Sequence, residues 1–463
     1  MEAIKEEKAI DDNSKIKEKH PPGLYLLFFT EMWERFSYYG MRGLLTLYLT
    51  TQFVKGGLGF DTATAAQIYG VFTALVFFTP TIGGYIADRF LGQRKSIIIG
   101  GFTMALGQLT LFAKQDKLFL YIGLALLIIG NGFFKSNIST IVGELYSKND
   151  KRRDGAFTIF YMGINLGSFL APLICGTLAE KWLATRFGGE IIHYGFKYGF
   201  LAAAIGIVIG QIAFITLSNK YLGDIGKYAV GKAKGESAAD ANKPLTKEEK
   251  NRTIVILILT AFVVFFWAGF EQAGTSLTMY AQNAVNRNLG SMEVPITWFQ
   301  SLNPLFVILF APILAKVWIN LAKDNKDLSI PSKMALGMLL LGSGYVLLVL
   351  ALLGQGVNGT AVTAKANMIW LVGVYFLHTL GELCLSPIGL SMVSKLAPVK
   401  LASFLMGVWL SGQFLANIIG NVFIAAHLES LGYLQIFGSI GIAAIVLGLI
   451  LFSISKKLTK MMK

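Results

Sequence analysis

The sequence predicts an all-α integral membrane protein with twelve spans in two six-helix halves. Hydrophobic residues make up 54% of the 463 residues, charged residues only 15%, and the mean hydropathy is +0.58, values far from those of a soluble domain. Apolar segments near the roughly 20 residues of a span recur twelve times, six on each side of one polar stretch. The predicted spans are 24–49, 67–87, 96–113, 118–142, 156–179, 195–217, 253–280, 296–319, 333–354, 367–394, 401–426 and 434–455.

The net charge of +14 follows the predicted topology. With the N-terminus inside, 29 of the 41 Lys and Arg residues fall on the inner side and eight in the outer loops. This positive-inside bias predicts a multi-pass cell-membrane protein with both termini cytoplasmic, and it disfavours a nucleic-acid partner. The predicted parts are a cytoplasmic tail (1–22), an N-terminal bundle (23–217), a cytoplasmic linker (218–252), a C-terminal bundle (253–455) and a second cytoplasmic tail (456–463).

The first span carries four charges, each of which costs about 2.5–3.5 kcal/mol at a helix centre. Glu34, Arg35, Tyr38 and Arg42 lie within about 60° of Glu31 around a helix with 100° per residue. The five side chains therefore form one polar stripe, which must face water or charged partners on other helices. Glu31 and Glu34 can also simply pair with the arginines of their own helix.

Three further charges lie inside predicted spans without a charged neighbour on their own helix: Lys135, Glu271 and Glu382. Intramembrane ionisable residues are candidates for function. The N-terminal half supplies Arg35, Arg42 and Lys135 and the C-terminal half only the two acids, so a cavity between the halves would have a cationic wall opposite an anionic one. Such a cavity suits a zwitterion, as free amino acids and short peptides are, better than a sugar.

Several stretches resemble family signatures. The loop 83–95 is similar to the loop signature of the major facilitator superfamily. Members of this superfamily have two six-helix halves, and the polar linker between two groups of six spans predicts the same arrangement. Other stretches resemble the signatures of the proton-dependent oligopeptide transporter (POT) family. They are Glu31-x-x-Glu34-Arg35-Phe36-x-Tyr38-Tyr39-Gly40, Gly132-Phe133-Phe134-Lys135-Ser136-Asn137, 160–168, 298–304 and Gly381-Glu382-x-x-x-Ser386-Pro387-x-Gly389.

This resemblance implies a symporter that imports di- and tripeptides with protons by alternating access, without a cofactor or metal, and that works as a monomer. It implies that Arg35 and Lys135, with Tyr38 and Arg42, hold the peptide carboxylate. It also implies that Glu382, Asn165 and Asn303 receive the peptide amine and backbone. Trp267 and Trp409 would line the pockets for the peptide side chains.

Proton coupling is expected at Glu31, Glu34 or Glu271, because a buried carboxylate binds a proton more readily when a basic partner leaves it. The resemblance implies that Arg42 with Glu271, and Lys135 with Glu382, form gating salt bridges between the halves. Tyr39 and His378 are interpreted as packing residues of the bundle rather than as ligands.

The chain departs from the family pattern in three places. The linker is too polar for the two extra helices of several bacterial members, Ser136 stands where proline is usual, and Phe72 and Phe77 stand on span 2 where some members have tyrosines. The last departure predicts no span 2 hydroxyl near a peptide. A carrier of nitrate or another small anion would need neither the Glu31 to Arg35 signature nor Glu382, and the sequence contains no enzyme motif or Walker loop.

Overall fold

The computed structural model describes residues 19–147, 150, 152–229, 245–323, 327–398 and 401–462. Most of the predicted N-terminal tail, the middle of the linker (230–244) and residue 463 lie outside the described residues. Twelve long helices form within the described part of the chain. They are α1 Pro22–Thr50, α2 Thr62–Ile86, α3 Gln93–Ala113, α4 Lys117–Glu144, α5 Arg153–Thr177, α6 Phe196–Leu222, α7 Lys247–Phe270, α8 Leu302–Lys323, α9 Ile330–Leu353, α10 Met368–Leu396, α11 Ala402–Asn417 and α12 Leu428–Met462.

Among the described residues, ten helical segments are long and apolar enough to cross a membrane. The last of them, Leu405–Met462, contains most of α11 and all of α12, and α1 does not qualify because of its charges. Exposed apolar side chains cover the outside of the bundle; on α12 they include Ile442, Leu449 and Phe452. A surface of this kind is stable against lipid rather than water, so the chain is a multi-pass membrane protein.

Several helices extend beyond their regular part through tighter or wider turns. Helix α2 continues as a π-helical turn Ala87–Leu91, α5 as a π-helical turn Leu178–Trp182, and α11 as a π-helical segment Ile418–Ile424 followed by a 3-10 turn Ala425–His427. Helix α7 ends in a 3-10 turn Glu271–Gly274 and a short helix Ser276–Asn283. Such irregular turns inside spans are frequent at functional sites.

The helices on either side of the predicted linker extend into it, since α6 runs to Leu222 and α7 begins at Lys247. Thr246 starts α7 with a capping box: its hydroxyl accepts from the Glu249 backbone N–H, and the Glu249 carboxylate accepts from the Thr246 N–H. This reciprocal pair satisfies two donors that a helix start leaves free. The helix therefore begins at the cap, several residues before its apolar part.

In the part of the chain that the structure describes, strands occur only in the loops. Hairpin β1 Thr185–Phe187 with β2 Glu190–His193 is antiparallel and lies between α5 and α6. The other pairs join two-residue strands: β3 Val285–Asn286 runs parallel to β8 Ala366–Asn367, β4 Asn288–Leu289 antiparallel to β5 Met292–Glu293, and β6 Val357–Asn358 antiparallel to β7 Ala361–Val362.

Among the described residues, the two halves meet where α1 contacts the 3-10 turn and the short helix that follow α7, where α2 contacts α11, and where α5 contacts α8. Within the N-terminal half, helices approach closely at small residues: a Cβ on Gly83 of α2 would overlap the carbonyl of Gly132 of α4. Between the halves, the rings of Phe78 and Phe414 lie 5.8 Å apart, centroid to centroid. The interface thus places α1, α2 and α5 opposite α7, α8, α10 and α11 around a central space.

Candidate functional site

A cavity of about 420 Å³ lies between the two halves. Its walls come from α1, α2 and α5 on one side and from α7, α8, α10, α11 and the turns next to α7 and α8 on the other. The described residues that line it are Tyr39, Arg42, Phe77, Tyr161, Ile164, Asn165, Ser168, Trp267, Phe270, Glu271, Ala273, Gln300, Asn303, Pro304, Tyr375, His378, Thr379, Glu382 and Gln413. Five of the nine predicted substrate residues are among them, namely Arg42, Asn165, Trp267, Asn303 and Glu382.

One end of this cavity is closed by an ion pair between the halves. Arg42 of α1 binds Glu271, and the two side chains are 11% and 5% exposed. Glu271 is the first residue of the 3-10 turn that follows α7. The Arg42 Nε also donates to the Tyr69 hydroxyl of α2 at 2.5 Å. Span 2 thus provides a hydroxyl to Arg42 from Tyr69, two turns before Phe77, while the positions of Phe72 and Phe77 carry none.

Arg35 is held entirely within its own half. Its Nε lies 3.2 Å from a Glu31 oxygen and donates to Glu34, and its Nη2 donates to the side-chain amide oxygen of Asn131 of α4 at 3.3 Å. Arg35 is 4% exposed and Glu34 fully buried. Arg35 is not among the described lining residues, because α4 and the two acids cover it. The interpretation that these acids satisfy an arginine of their own helix describes this geometry.

The sequence predicts Tyr38 at the cavity and Tyr39 in the packing of the bundle, and the structure shows the opposite arrangement. Tyr38 is buried, lies 6.4 Å from the Phe72 ring and has a hydroxyl with no partner among the described residues. Tyr39 lines the cavity, with the Arg42 guanidinium 5.6 Å from its ring centroid. Tyr39 therefore borders the cavity in this conformation, whereas Tyr38 is not among the described lining residues.

The second predicted gating pair is not formed. The Lys135 ammonium lies 4.5 Å from the centroid of the Phe77 ring, and no carboxylate of the described residues is within 4.0 Å of it. Glu382 accepts from the Asn303 amide at 2.7 Å, and the same amide reaches Thr379 at 3.1 Å. Lys135 therefore contacts a ring of its own half, and Glu382 is hydrogen-bonded to an amide of its own half. The two charged groups do not pair with each other.

The remaining predicted residues divide between the cavity and the packing around it. Trp267 lines the cavity and stands edge-on to Phe266 and Phe270, whereas Trp409 packs against Gly389 and is not among the lining residues. Asn165 donates to the Tyr161 carbonyl at 3.0 Å. His378 is buried beside the Tyr345 ring at 4.7 Å, as a packing residue would be, although it also borders the cavity.

Sequence reasoning missed several polar lining residues, and helical spacing could have found four of them. Tyr39, Tyr161, Gln300 and Gln413 stand three or four residues from Arg42, Asn165, Asn303 and Trp409 respectively. Residues at this spacing share one face of a helix. Among the described residues, no group of three or more His, Cys, Asp or Glu side chains is placed to hold a metal ion.

A helical membrane bundle with a charged cavity between two halves defines a secondary transporter of the major facilitator type. The model of the POT family matches residues 94–227 and 225–431. The chain belongs to the POT family.

Relatives with similar sequences are found along almost the full length of the chain. It is 38% identical to the "Uncharacterized transporter YclF" of Bacillus subtilis, over 96% of this chain and 95% of that protein. It is 33% identical to the "Di-/tripeptide transporter" of Lactococcus lactis subsp. cremoris, over 96% of each.

Solved structures with the same fold include peptide transporter POT in complex with sulfate, with a TM-score of 0.85, 34% identity and coverage of 96% and 97% of the two chains. A mutant of peptide transporter POT in complex with alafosfalin has a TM-score of 0.84 and 36% identity over 96% and 97%. A POT family transporter in complex with 5-aminolevulinic acid has a TM-score of 0.85 and 31% identity over 96% and 98%.

Proposed function

We propose that this protein is a proton-coupled symporter that imports di- and tripeptides by alternating access through the cavity between its halves. The names of its relatives support the substrate class, and alafosfalin and 5-aminolevulinic acid, each bound to a structural neighbour, fit the same class of small molecules. The protein needs no cofactor in this proposal, because the proton gradient supplies the free energy. It functions as a monomer, with protons, peptides and membrane lipid as its partners.

The observation that carries the proposal is the state of Glu382. Its carboxylate borders the cavity and accepts from the neutral amide of Asn303, while no cation of the described residues lies within 4.0 Å. A buried acid without a basic partner favours a ligand that brings a positive charge. The ammonium group of a peptide meets this need, and Asn303 holds the acid in place to receive it.

The opposite wall supplies the positive charge for the peptide carboxylate. Arg42 reaches the cavity directly, and Lys135 stands behind the Phe77 ring without a carboxylate of the described residues near it. We assign the carboxylate to Arg42 first, with Lys135 joining when Phe77 moves. Arg35 supports this wall from behind, where Glu31 and Glu34 hold it.

Coupling follows from competition for Arg42. When a peptide carboxylate takes Arg42, Glu271 loses its cationic partner inside the protein and binds a proton more readily. Substrate and proton then favour each other's binding, as linkage requires. Glu31 and Glu34 also remain candidates for the proton, but their partner Arg35 is out of the cavity's reach in this conformation.

The distribution of charge favours cytoplasmic termini in the cell membrane. In that orientation the ends of the helices next to β1, β2 and the strands β3 to β5 are outside. The Arg42–Glu271 pair then lies on the outer side of the cavity and closes it, and release toward the cytoplasm requires the opposite end to open.

Uptake of a labelled dipeptide into proteoliposomes tests the proposal. We expect accumulation with an inward proton gradient and its loss on addition of a protonophore. Glu382→Gln removes a charged hydrogen-bonding group worth about 1.5–3 kcal/mol, so we expect KM for the dipeptide to rise by about ten- to a hundredfold. Glu429→Gln, at an exposed acid at the start of α12, is the matched control and leaves uptake unchanged.

Nitrate uptake in the same proteoliposomes separates a peptide carrier from a carrier of small anions. Nitrate transport without dipeptide transport would overturn the proposal, and so would dipeptide uptake that ignores the gradient. Unchanged uptake in Glu382→Gln would refute the amine site alone.

A further inference from the structure

A second buried acid joins the two halves, on helices that the Arg42–Glu271 pair does not involve. Glu180 lies in the π-helical turn that ends α5 and is 3% exposed. Its Oε2 accepts from the Ile296 backbone N–H at 2.7 Å, and its Oε1 accepts from the Thr297 N–H at 3.1 Å and the Thr297 hydroxyl at 2.7 Å. A carboxylate of one half is thus held by three donors of the other.

These donors are free for a reason. Ile296 and Thr297 begin the 3-10 turn Ile296–Ser301 that leads into α8, and the first N–H groups of a helical segment have no partner inside it. An acid from the opposite half therefore satisfies donors that nothing in their own helix can satisfy. Hydrogen bonds to an ionised carboxylate are stronger than neutral ones.

Separating the halves at this point would break hydrogen bonds of groups on both sides of the contact. Glu180 would lose all three described donors, and the start of α8 would lose its acceptor. The contact thus favours the closed arrangement of α5 and α8.

Further bonds around Glu180 join the same two regions. The Trp298 Nε1 donates to the Thr177 hydroxyl at 3.0 Å, and the Ser301 hydroxyl donates to the Phe169 carbonyl at 2.8 Å. Beyond them lies a polar cavity of about 260 Å³, where Glu293 of the C-terminal half is shared by Arg186 of hairpin β1–β2 and Arg287.

The Arg186–Glu293 ion pair differs from the Glu180 contact in its exposure. The Arg186 and Glu293 side chains are about one third exposed, 32% and 35%, and pairs at this exposure contribute little. Glu180 is the buried acid of the group, so it carries the largest share of the closing free energy.

We propose that Glu180 is a latch: by capping the start of α8 from α5, it sets how often the protein opens at the end that bears hairpin β1–β2. This inference rests on the proposed alternating access for its consequence in transport. It adds a closing contact on α5 and α8 to the ion pair on α1 and α7. The two contacts lie on different helix pairs, so either can be removed without touching the other.

Distances between spin labels test the latch without any transport. Phe187 of β1 and Leu289 of β4 are 80% and 62% exposed and lie on opposite halves, and both natural cysteines, Cys175 and Cys384, are buried. Labels on F187C and L289C therefore report the separation of the halves at this end. We expect Glu180→Gln, which keeps the shape but only one acceptor oxygen, to enlarge the long-distance population at least fivefold.

Two further variants make the result specific. Glu190→Gln removes an exposed acid from the same polar cavity and should leave the distances unchanged. Thr297→Val removes one of the three donors and should shift the distances in the same direction as Glu180→Gln, but less. If Glu180→Gln does not fold, the distances measured in Thr297→Val still test the latch.

An unshifted distribution in both Glu180→Gln and Thr297→Val would overturn the latch, and so would an equal shift in Glu190→Gln. The measurement needs neither peptide nor proton gradient. A shift in a protein that fails to take up peptides would refute the proposed function and leave the latch. Peptide uptake without any shift of the distances in the variants would refute the latch and leave the proposed function.

Discussion

Two arginines two turns apart on α1 are satisfied in opposite ways. Arg35 is bound by Glu31 and Glu34 of its own helix beside Asn131 of α4, all inside the N-terminal half. Arg42 is bound by Glu271 of the C-terminal half and by Tyr69 of α2. The same residue type on one face of one helix thus belongs to the fold in one case and to the interface between the halves in the other.

This difference predicts where a substitution takes effect. Contacts inside one half are present in every arrangement of the two halves, so their loss lowers stability without favouring any arrangement. A contact between the halves exists only while that end is closed, so its loss shifts the equilibrium between closed and open. Conformational populations respond only to differences between the states.

The largest effect is expected for Glu271→Gln, which leaves Arg42 mostly buried without its carboxylate. Breaking a buried ion pair costs about 3–5 kcal/mol, and here the cost falls on the closed state alone. We expect the open population, measured with the labels at 187 and 289, to rise by about a hundredfold or more, within the limit of complete opening. Dipeptide accumulation driven by the proton gradient should be lost as well.

An unchanged distance distribution in Glu271→Gln would contradict the assignment of Arg42 to the interface. Loss of accumulation without a shift of distances would instead place Glu271 in proton transfer alone.

Glu34→Gln tests the other side of the comparison. Arg35 keeps Glu31 but loses a charged partner, so we expect the free energy of unfolding to fall by about 1–3 kcal/mol, seen as a lower melting temperature in detergent. The distance distribution between the labels should match that of the unsubstituted protein. A shift similar to that of Glu271→Gln would show that Arg35 too takes part in opening.

Tyr69→Phe is the smallest change, since it removes one hydroxyl from Arg42 and leaves the ion pair in place. A hydrogen bond contributes about 0.5–1.5 kcal/mol, so we expect the open population to grow by about two- to tenfold. Tyr38→Phe is the matched control on α1, because the Tyr38 hydroxyl has no partner among the described residues. Equal effects of the two variants would contradict the role given to Tyr69.

Much of the site followed from helical geometry. Arg42, Glu271 and Glu382 were found as charges inside apolar spans, where burial makes any charge conspicuous, and all three border the cavity. The polar stripe of α1 was also placed on one face. Its members nevertheless divide, since Arg35 and Tyr38 are covered by neighbouring helices while Arg42 is open to the cavity.

Other features depend on which helices are neighbours, and the sequence of a single span does not predict its neighbours. The partner of Lys135 was predicted to be Glu382, but Asn303 holds that acid and Lys135 rests on Phe77. Glu180 gives no signal in the sequence, because it stands at the end of a span, where an acid is ordinary. Only its position against the start of α8 makes it a contact between the halves.

The sequence by itself determined that the chain spans a membrane, how its helices are grouped, and which charges must be explained, because apolar length and buried charge are properties of each segment alone. The tertiary structure decided which of those charges meet. The pairing of Arg42 with Glu271, the enclosure of Arg35 and the capping of α8 by Glu180 all depend on distances between residues far apart in the chain. The first span therefore provides one arginine for the fold and one for the interface, although both were equally anomalous in the sequence.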